Sequence, residues 1–299
     1  MRRETPWHTG RLDASNGPTR LLFGESYEDA EIELAAFAGK QRVFCIAAAG
    51  TTAMRLCDEH EVVACDVNPT QLAYAERRAA GAPAEKGDAE RALSVARAFM
   101  PLIGWRTDVV RDFLHLSDAC EQAAFWNRHL DTHRFRLGFD TLLSPPILRA
   151  VYARSFLSFL PARFGAAVRQ RLKRGFARHQ NASNPYARAL LLGEIGNAPA
   201  RRRSNIGFVL ADAASFLESC PAGCFEGFSL SNILDGATPA YRSRLSRAVE
   251  HAAAPGAMIV LRSFAEPAPN LHTNRAEFDR SMLWGVVDVR TIDTVGRSF

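Results

Sequence analysis

The sequence predicts an α/β fold built around an open, mostly parallel sheet, and three observations lead to this prediction. Two short segments, 42–50 and 61–66, have the continuous apolar pattern of strands buried on both faces. A helical pattern separates them, and a second one follows at 70–80 after a turn at Asn68-Pro69. Near Ile206 the alternation of strand and helix resumes. Such alternation is typical of βαβ units, whose strands are parallel and whose crossovers are right-handed.

The remaining elements follow from apolar runs bounded by turn residues. The first helix is predicted at 52–60. In the second half the predicted elements are a strand at 206–212, a short helix from Ala213, a strand at 224–230, a helix at 239–253, a turn at Pro255-Gly256 and a strand at 257–261. We expect a helix and one or two antiparallel strands within 277–294.

The segment 84–194 interrupts this alternation. It shows helical periodicity broken by prolines, without a strand pattern, and it is too long for a loop. We therefore expect a long helical insertion between strands 2 and 3. The predicted organisation is one elaborated domain: an N-terminal segment and the first half of the sheet at 1–82, the helical insertion or cap at 83–200, and the second half of the sheet at 201–299.

Composition excludes several classes of protein. With 299 residues, 47% of them hydrophobic and 23% charged, the chain is neither disordered nor a disulfide-stapled mini-fold. Its longest apolar run, 43–49, is far shorter than the roughly 18–20 residues that cross a bilayer. No apolar signal segment follows the N-terminus. We expect a cytoplasmic protein.

The net charge of +5 is small for this length, so we expect no nucleic-acid partner. Two local basic clusters stand out. They could be solvated surfaces, or they could bind an anionic partner such as lipid headgroups, which would place the protein at a membrane surface. Their members are Arg169, Arg171, Lys173, Arg174 and Arg178 in one cluster and Arg201, Arg202 and Arg203 in the other.

The six cysteines do not indicate a metal centre. Cys220 and Cys224 form a single C-x3-C pair without the second pair of ligands that a structural zinc site requires. Cys45 and Cys65 lie inside predicted strands. We expect reduced thiols and no metal.

The candidate site lies where the predicted strands end, because ligands of open α/β sheets bind at the carboxyl ends of the strands, where the strand order reverses. The first strand ends at Ala48, and Gly50 lets the backbone approach a ligand. Thr51 and Thr52 follow as hydrogen-bond donors. The second strand ends at Asp66, a position suited to accept the hydroxyls of a ribose.

The later strands also end in polar residues. Asp212 and Ala213 follow the third strand, where a carboxylate suits an adenine amino group, and Ser229, Ser231 and Asn232 end the fourth strand. For the two acidic residues a structural role is an open alternative. Asp66 could cap the next helix or form an Asx turn with Asn68, and Asp212 could simply cap its helix.

The first turn lacks both G-x-G-x-x-G and a P-loop lysine, which disfavours phosphate recognition. An adenosine ligand without phosphates therefore fits better than a dinucleotide or a nucleoside triphosphate. S-adenosylmethionine meets that description.

An ordered set of segments across residues 20–265 carries a family resemblance. The segments are FGESYED at 23–29, AAAGTT at 47–52, DVNPTQ at 66–71, SNPY at 183–186 with LG at 192–193, FSLSNILD at 228–235, and PG at 255–256 with LRSF at 261–264. Together they resemble the S-adenosylmethionine:diacylglycerol 3-amino-3-carboxypropyltransferase family of betaine-lipid synthesis.

The resemblance implies a Rossmann-like, class I S-adenosylmethionine-dependent transferase fold with the helical insertion between strands 2 and 3. It also implies that S-adenosylmethionine is a substrate, attacked at its γ-carbon with release of methylthioadenosine. The acceptor would be a hydroxyl or amine, either diacylglycerol or a smaller molecule. Alternatively, the substrate's own amino group would close the ring of azetidine-2-carboxylate. A methyltransferase and a non-catalytic nucleoside-binding protein are the alternatives, and the acceptor and the oligomeric state are left open.

The resemblance also suggests how the methionine arm would be held. Arg262, with the donors Thr51, Thr52 and Ser231, would bind its carboxylate, and Glu25 would bind its amino group. Tyr27 would face the sulfonium through cation–π attraction. Arg262 could instead form a surface ion pair, and Tyr27 could simply pack the N-terminal segment.

Asn184, in the Asn-Pro-Tyr segment of the helical block, and Asn232 complete the candidate catalytic residues together with Tyr27. Initiation of a helix at Pro185 is the alternative for Asn184. No general base is assigned. The titratable candidates in the block are His115, His129, His133, His179 and Asp140.

Overall fold

The computed structural model describes residues 5–194 and 205–292, and a six-stranded sheet forms its centre. The strand order is β3-β2-β1-β4-β5-β6. The first five strands are parallel, and β6 pairs with β5 in the antiparallel sense. A mostly parallel α/β sheet is thus confirmed, and it is compatible with a Rossmann-like fold. The strands are β1 (Arg42–Ile46), β2 (Glu61–Asp66), β3 (Ile206–Leu210), β4 (Phe225–Ser229), β5 (Ala253–Ser263) and β6 (Val286–Thr291).

The strand order reverses between β1 and β4. From β1 the chain proceeds outward to β2 and β3, and it then returns to the other side of β1 to form β4. In the register, Ile46 lies beside Cys65, Asp66 beside Leu210, and Cys45 beside Ser229. The residues that follow these parallel strands therefore meet at one edge of the sheet, with the reversal point at its middle.

Both faces of the sheet are covered, as the apolar strands require. Val43 and Cys45 pack against α1 (Glu31–Ala36), α2 (Thr51–Leu56) and α3 (Pro69–Ala79), whereas Phe44 faces the opposite side. There, α12 (Ala213–Ser219) and α13 (Pro239–Ala252) bury Leu217, Leu245 and Val249 among the phenylalanines of β1 and β4. Alternate residues of one strand thus serve two separate cores.

Eight further helices lie between α3 and β3 in the part of this segment that the structure describes, and we call them the helical block. They share a third core, in which the buried rings of Phe113, Trp126, Phe135 and Phe176 pack together. The helices are α4 (Asp88–Ala98), α5 (Thr107–His115), α6 (Ala119–Phe125), α7 (His133–Leu142), α8 (Pro145–Val151), α9 (Arg154–Leu157), α10 (Phe164–Phe176) and α11 (Pro185–Leu192).

Four predictions of element boundaries or type were wrong. The strand predicted at 42–50 ends at Ile46. The strand predicted at 257–261 begins at Ala253, because Ala253 already pairs with Phe225 and the Pro255-Gly256 pair lies inside the strand, at an irregularity in its register. The helix predicted at 52–60 ends at Leu56. In the tail a single 3-10 turn at Ala276–Phe278 replaces the expected helix, while β6 is one of the expected antiparallel strands.

The first basic cluster is not a free surface. The buried guanidinium of Arg171 donates to the carbonyls of Phe264 and Leu283 and pairs with Glu266, which fastens the helical block to the segment after β5. Two other arginines of the cluster also form ion pairs, Arg169 with Asp140 and Arg178 with Glu277. The second cluster, 201–203, lies outside the described residues. No helix in the described part of the chain is both long enough and apolar enough to span a bilayer.

Candidate functional site

Backbone strain marks the edge of the sheet where the strand order reverses. Ala48, after β1, has a φ of +44°, and Ser231, after β4, has a φ of +52°. Residues other than glycine rarely adopt positive φ, and such strain persists only where the surrounding structure imposes it, commonly at functional sites. The described chain contains three non-glycine residues with positive φ. Ala48 and Ser231 flank the reversal point, and the third is Met282.

An N-terminal segment, residues 5–33, crosses this edge, and we call it the strap. It begins with a 3-10 turn, Pro6–Thr9, and ends in the first turn of α1. Along its length it directly contacts residues at or just after the carboxyl ends of β3, β2, β4 and β5, and it reaches the loop after β1 through the side chain of Gln71. These contacts join His8 to Asp212, Arg20 to Asn68, Leu22 and Phe23 to Gln71 (which also binds Ala48), Glu28 to Ser231, and Glu33 to Arg262.

Asp66 and Asn68 connect β2 to this arrangement. The Asp66 carboxylate accepts the backbone N–H groups of Ala48, at 3.2 Å, and of Asn68, at 2.9 Å. Asn68 caps α3, with its Oδ1 accepting the N–H groups of Thr70 and Gln71, and it donates to the carbonyl of Arg20. The Asx turn proposed as the alternative for Asp66 is thus present. Burial raises the pKa of Asp66 to about 6, although backbone N–H groups of Asn68, Ala48 and Val67 lower it.

Gln71 binds the strap and the β1 loop with one side chain. Its Oε1 accepts the N–H groups of Leu22, at 2.9 Å, and Phe23, at 3.2 Å. Its Nε2 donates to the carbonyls of Phe23 and Ala48, both at 2.8 Å. The polar residues of DVNPTQ therefore hold the strap in position over the end of β1.

Glu25 is the acidic group of this edge with the fewest partners. Its carboxylate accepts the N–H of Ser26, and no ion pair of Glu25 is found within the described residues. Burial raises the pKa of Glu25 to about 7, although the positive charge of Arg78 and the neighbouring Thr51 lower it. The Thr51 hydroxyl is close enough to influence the carboxyl but makes no hydrogen bond of ordinary geometry.

The hydroxyls of Thr51 and Thr52 are both buried without a hydrogen-bond partner. Unpaired buried polar groups are costly and rare in folded proteins. Thr51 lies beside the Glu25 carboxyl, since it influences the pKa of that group, whereas Thr52 is buried in the same turn of α2. These three expected ligand contacts therefore have few partners of their own in the described chain, although the sequence alone did not place Glu25 beside Thr51.

Arg262 lies at the centre of a buried charge cluster. Its guanidinium is fully buried, donates to both carboxylate oxygens of Glu33 and to Asp279, and lies 3.7 Å from Glu28. Three carboxyl groups thus share one guanidinium, and burial raises the pKa of Glu28 and of Asp279. The proposed surface ion pair for Arg262 was wrong. All three guanidinium nitrogens already donate within the protein, so this side chain is engaged in the cluster and does not face an open cleft.

Ser229, the last residue of β4, and Ser231, two residues later, belong to the same cluster. Ser229 donates to Glu33 at 2.8 Å, and Ser231 donates to Glu28. The neighbouring Asn232 is half-buried and donates to Asp235 at 3.3 Å. The expected contacts of the fourth strand are therefore brought to the edge, but the hydroxyls of both serines are bound to acidic residues.

Two other candidates, Asp212 and Asn184, cap helices, which is the structural alternative considered for them. Asp212 caps α12 through the N–H of Ser215, accepts the Tyr241 hydroxyl at 2.8 Å, and lies 3.6 Å from His8. Asn184 caps α11 with its Oδ1 and donates to the carbonyl of Arg280. Ala213 begins α12 and is buried.

Tyr27 lies on the strap and is half-buried. Its carbonyl accepts the indole N–H of Trp284 at 2.8 Å, which fastens this part of the strap. Burial and the negative charge of Glu90 raise the pKa of the phenol. Its packing in the strap agrees with the alternative given for this residue.

Of the titratable candidates in the helical block, His179 lies near acidic residues of this edge, because Asp29 and Asp279 influence its pKa. His115, His129 and His133 are exposed. His179 is half-buried, contacts the carbonyl of Glu277, and has a pKa lowered by burial. His8, on the strap, lies at the carboxyl end of β3, next to Asp212. This histidine was missed in the sequence analysis because the two residues are more than two hundred positions apart in the chain.

Glu90 was also missed by the sequence analysis. Its carboxylate accepts the N–H groups of Gly24, at 2.7 Å, Gly87, at 2.9 Å, and Glu25, at 3.3 Å. A side chain at Gly24 would collide with the carbonyl of Glu85, so glycine is required there. The signal available in the sequence was the position of Glu90 in the first turn of an apolar-patterned helix, which is typical of a capping residue.

An open groove of about 550 Å³ lies at the other edge of the sheet. Arg42, Glu61 and Asn205 line it, at the amino ends of the first three strands. It is therefore separate from the edge that the strap covers. Among the described residues, no group of three or more metal-ligating side chains is arranged to hold a metal ion.

The chain matches no family model, and no curated protein matches it significantly. Inference about function therefore depends on the geometry of the strap-covered edge and on the resemblance in the sequence segments.

Gln71→Ala tests whether this side chain holds the strap. The change leaves the N–H groups of Leu22 and Phe23 and the carbonyl of Ala48 without their partner, so we expect a loss of about 2–4 kcal/mol in the free energy of unfolding. We also expect faster hydrogen exchange at Leu22 and Phe23. Gln122→Ala is the matched control, because Gln122 bonds in the same way to the backbone of the helical block. Unchanged exchange in the strap of Gln71→Ala would contradict the assignment.

Arg262→Met tests the buried charge cluster. The variant leaves the carboxyl groups around Arg262 without a counter-charge, so we expect the free energy of unfolding to fall by about 3–5 kcal/mol near neutral pH. Because these groups must bind protons in the folded variant, the loss should shrink as the pH is lowered toward 5. Denaturant titrations at several pH values measure this. Arg55→Met, which breaks an exposed pair with Glu31, should cost less than about 1 kcal/mol at every pH.

Glu25→Gln tests the environment of the uncommitted carboxyl. In the folded protein the pKa of Glu25 is about 7, against an ordinary value of 4.5, so protonation favours the folded state. Stability from this group is present in full below about pH 4.5 and is lost as the pH rises through 7. The free energy of unfolding of Glu25→Gln should therefore rise relative to that of the native protein as the pH is raised from 4.5 to 8, by up to about 3 kcal/mol. Glu76→Gln, at an exposed position of α3, should show no such trend; a constant difference for Glu25→Gln would refute the assignment.

Proposed function

We propose that the protein is an enzyme that binds S-adenosylmethionine under the strap and transfers its 3-amino-3-carboxypropyl group. The observation that carries the proposal is the Glu25 carboxyl, which forms no ion pair with any described residue and lies beside Thr51, the first residue of α2. A ligand with an ammonium and a carboxylate on one carbon would satisfy both groups. The methionine arm of S-adenosylmethionine is such a ligand.

The position of Asp66 is consistent with binding of the adenosine part of the ligand. Its carboxylate ends β2, next to the strained loop at Ala48 and within the same edge as the cluster. In sheets of this kind an acidic residue at this place accepts ribose hydroxyls. Two hydroxyl donors would favour the ionised carboxylate and so lower its raised pKa. The His8–Asp212 pair, at the end of β3, borders the side where the adenine would lie.

In the proposed reaction the nucleophile attacks the γ-carbon of the methionine arm. The new bond forms as the bond from that carbon to sulfur breaks, and the electron pair moves to the sulfur. The sulfonium charge disappears, methylthioadenosine leaves, and the nucleophile loses a proton. Because the carbon is already activated, the protein contributes mainly by holding the reactants in line and excluding water.

The acceptor is a hydroxyl or an amine, with diacylglycerol, a smaller molecule and the substrate's own amino group as the candidates. Glu25 favours the substrate's own amino group as the nucleophile. A carboxyl that holds the amino group and has a pKa near 7 is suited to take the proton that this group must lose before it can attack. Intramolecular closure to azetidine-2-carboxylate then needs no second substrate.

The reaction is tested by incubating the protein with S-adenosylmethionine, with and without acceptors, and identifying the nucleoside product by mass. We expect methylthioadenosine above the spontaneous rate. Formation without any acceptor indicates cyclisation, and formation only with an acceptor indicates transfer. S-adenosylhomocysteine as the product would instead establish a methyltransferase, and binding without either product would establish a non-catalytic protein.

Asp66→Ala should weaken S-adenosylmethionine binding by at least about tenfold, because the ribose loses its acceptor. Calorimetric titration measures the affinity, with circular dichroism confirming that the variant is folded. Asp118→Ala is the matched control, since Asp118 also accepts a backbone N–H but caps a helix of the helical block. Equal affinities of Asp66→Ala and the native protein would rule out the ribose assignment.

A further inference from the structure

Exposed large apolar side chains are concentrated on one part of the helical block. Of the nine that the described residues contain, seven lie between α4 and the end of α8, and we call these seven the apolar face. Phe99 is 57% exposed and Leu102 is 73% exposed. The members of the face are Val95, Phe99, Leu102, Leu137, Leu142, Ile147 and Val151.

Part of the apolar face comes from two segments that contain no charged residue. In the first, a 3-10 turn at Met100–Ile103 follows α4 and exposes Pro101 and Leu102. In the second, the residues 141–148 join α7 to α8 and expose Leu142 and Ile147. Segments with adjacent exposed apolar residues are uncommon on the surface of a monomeric protein and mark contact sites.

Helix α7 connects the two segments into one surface. Gly138 of α7 packs directly against Ile103, since a side chain at Gly138 would meet that residue at 2.8 Å. Leu137, which precedes Gly138, is 62% exposed, and α8 begins three residues after α7 ends. The exposed apolar residues therefore belong to neighbouring elements that pack against one another.

Positive charge accompanies the apolar face. The segment 133–163 contains five arginines and one acidic residue, Asp140, which already pairs with Arg169. Four of these arginines are exposed and form no ion pair with any residue that the structure describes. They are Arg134, Arg149, Arg154 and Arg163. An apolar surface on elements that also carry, or adjoin in the chain, exposed unpaired arginines has the composition of an interfacial membrane-binding surface.

We propose that the apolar face binds the surface of a bilayer that contains anionic lipids. Phe99 and Leu102 would enter the boundary between headgroups and acyl chains, and the unpaired arginines would contact lipid phosphates. A second copy of this chain fits less well, because pairing two such faces would bring like charges together without compensation. The assigned surface differs from the basic cluster at 169–178, whose arginines are largely paired or buried. The proposal does not depend on the reaction described above.

The test is co-sedimentation with vesicles, without S-adenosylmethionine, so that its result is independent of any activity. We expect the full chain to bind vesicles of phosphatidylcholine with about one third phosphatidylglycerol, and to bind less tightly at high salt. The double variant Phe99→Ser/Leu102→Ser should bind at least about tenfold more weakly. Arg149→Gln/Arg154→Gln should bind at least about fivefold more weakly to the same vesicles.

Leu210→Ser is the matched control, because Leu210 is 57% exposed, like Phe99, but lies on β3 outside the apolar face. It should bind like the native protein, and thermal unfolding should show that all variants are folded. Failure of the native protein to bind, or equal binding by Phe99→Ser/Leu102→Ser, would overturn the proposal. A dimer that this double variant dissociates in sedimentation equilibrium, without vesicle binding by the native protein, would assign the face to contacts between copies of the chain.

Discussion

The structure of the candidate site depends on one constraint, which is that the irregular backbone of the strap must find hydrogen-bond partners where it is buried. A buried N–H or carbonyl without a partner costs free energy comparable to a lost hydrogen bond. Between the 3-10 turn and α1 the strap has no regular structure of its own, so side chains satisfy it. Gln71, Asn68 and Glu90 bond to its peptide groups at Phe23, Arg20 and Gly24. The path of the strap along the strand ends follows from where these three side chains lie.

The charged groups at the same edge are divided between those that hold the fold and those that are left over. Arg262 draws Glu28, Glu33 and Asp279 into one buried cluster, and this cluster fixes the strap to the ends of β4 and β5. Removing two or more charges from water is costly unless each is paired, so residues of such a cluster have little freedom to bind a ligand as well. Glu25 is outside it, and its carboxyl remains close to Thr51 with its pKa raised by burial. A ligand contact is therefore distinguished from a structural residue by whether its polar atoms are already bound within the protein, and not by the type of residue.

This division explains what the sequence could and could not predict. The apolar strands, their parallel pairing and the placement of Asp66 at a strand end follow from local patterns. Whether a polar residue at a strand end is already bound does not follow, because capping and ligand binding require the same residue types. Asp212 and Asn184 are caps, and Arg262 is committed to carboxylates from the strap. The caps are local, and a capping residue cannot be told from a ligand contact by its type, whereas the strap carboxylate that binds Arg262 is 229 residues away in the chain, a contact that no local pattern records.

The helical block connects the apolar face to the strap-covered edge. At Gly236, in the loop after β4, the backbone is so close to Ser155 and Phe159 of the block, and to Pro6 of the strap, that any side chain would collide with them. The block therefore forms one wall of the edge where Glu25 and Asp66 lie, while α7 and α8 of the same block carry the apolar face. A bilayer bound at that face would lie against an element that borders the proposed cleft.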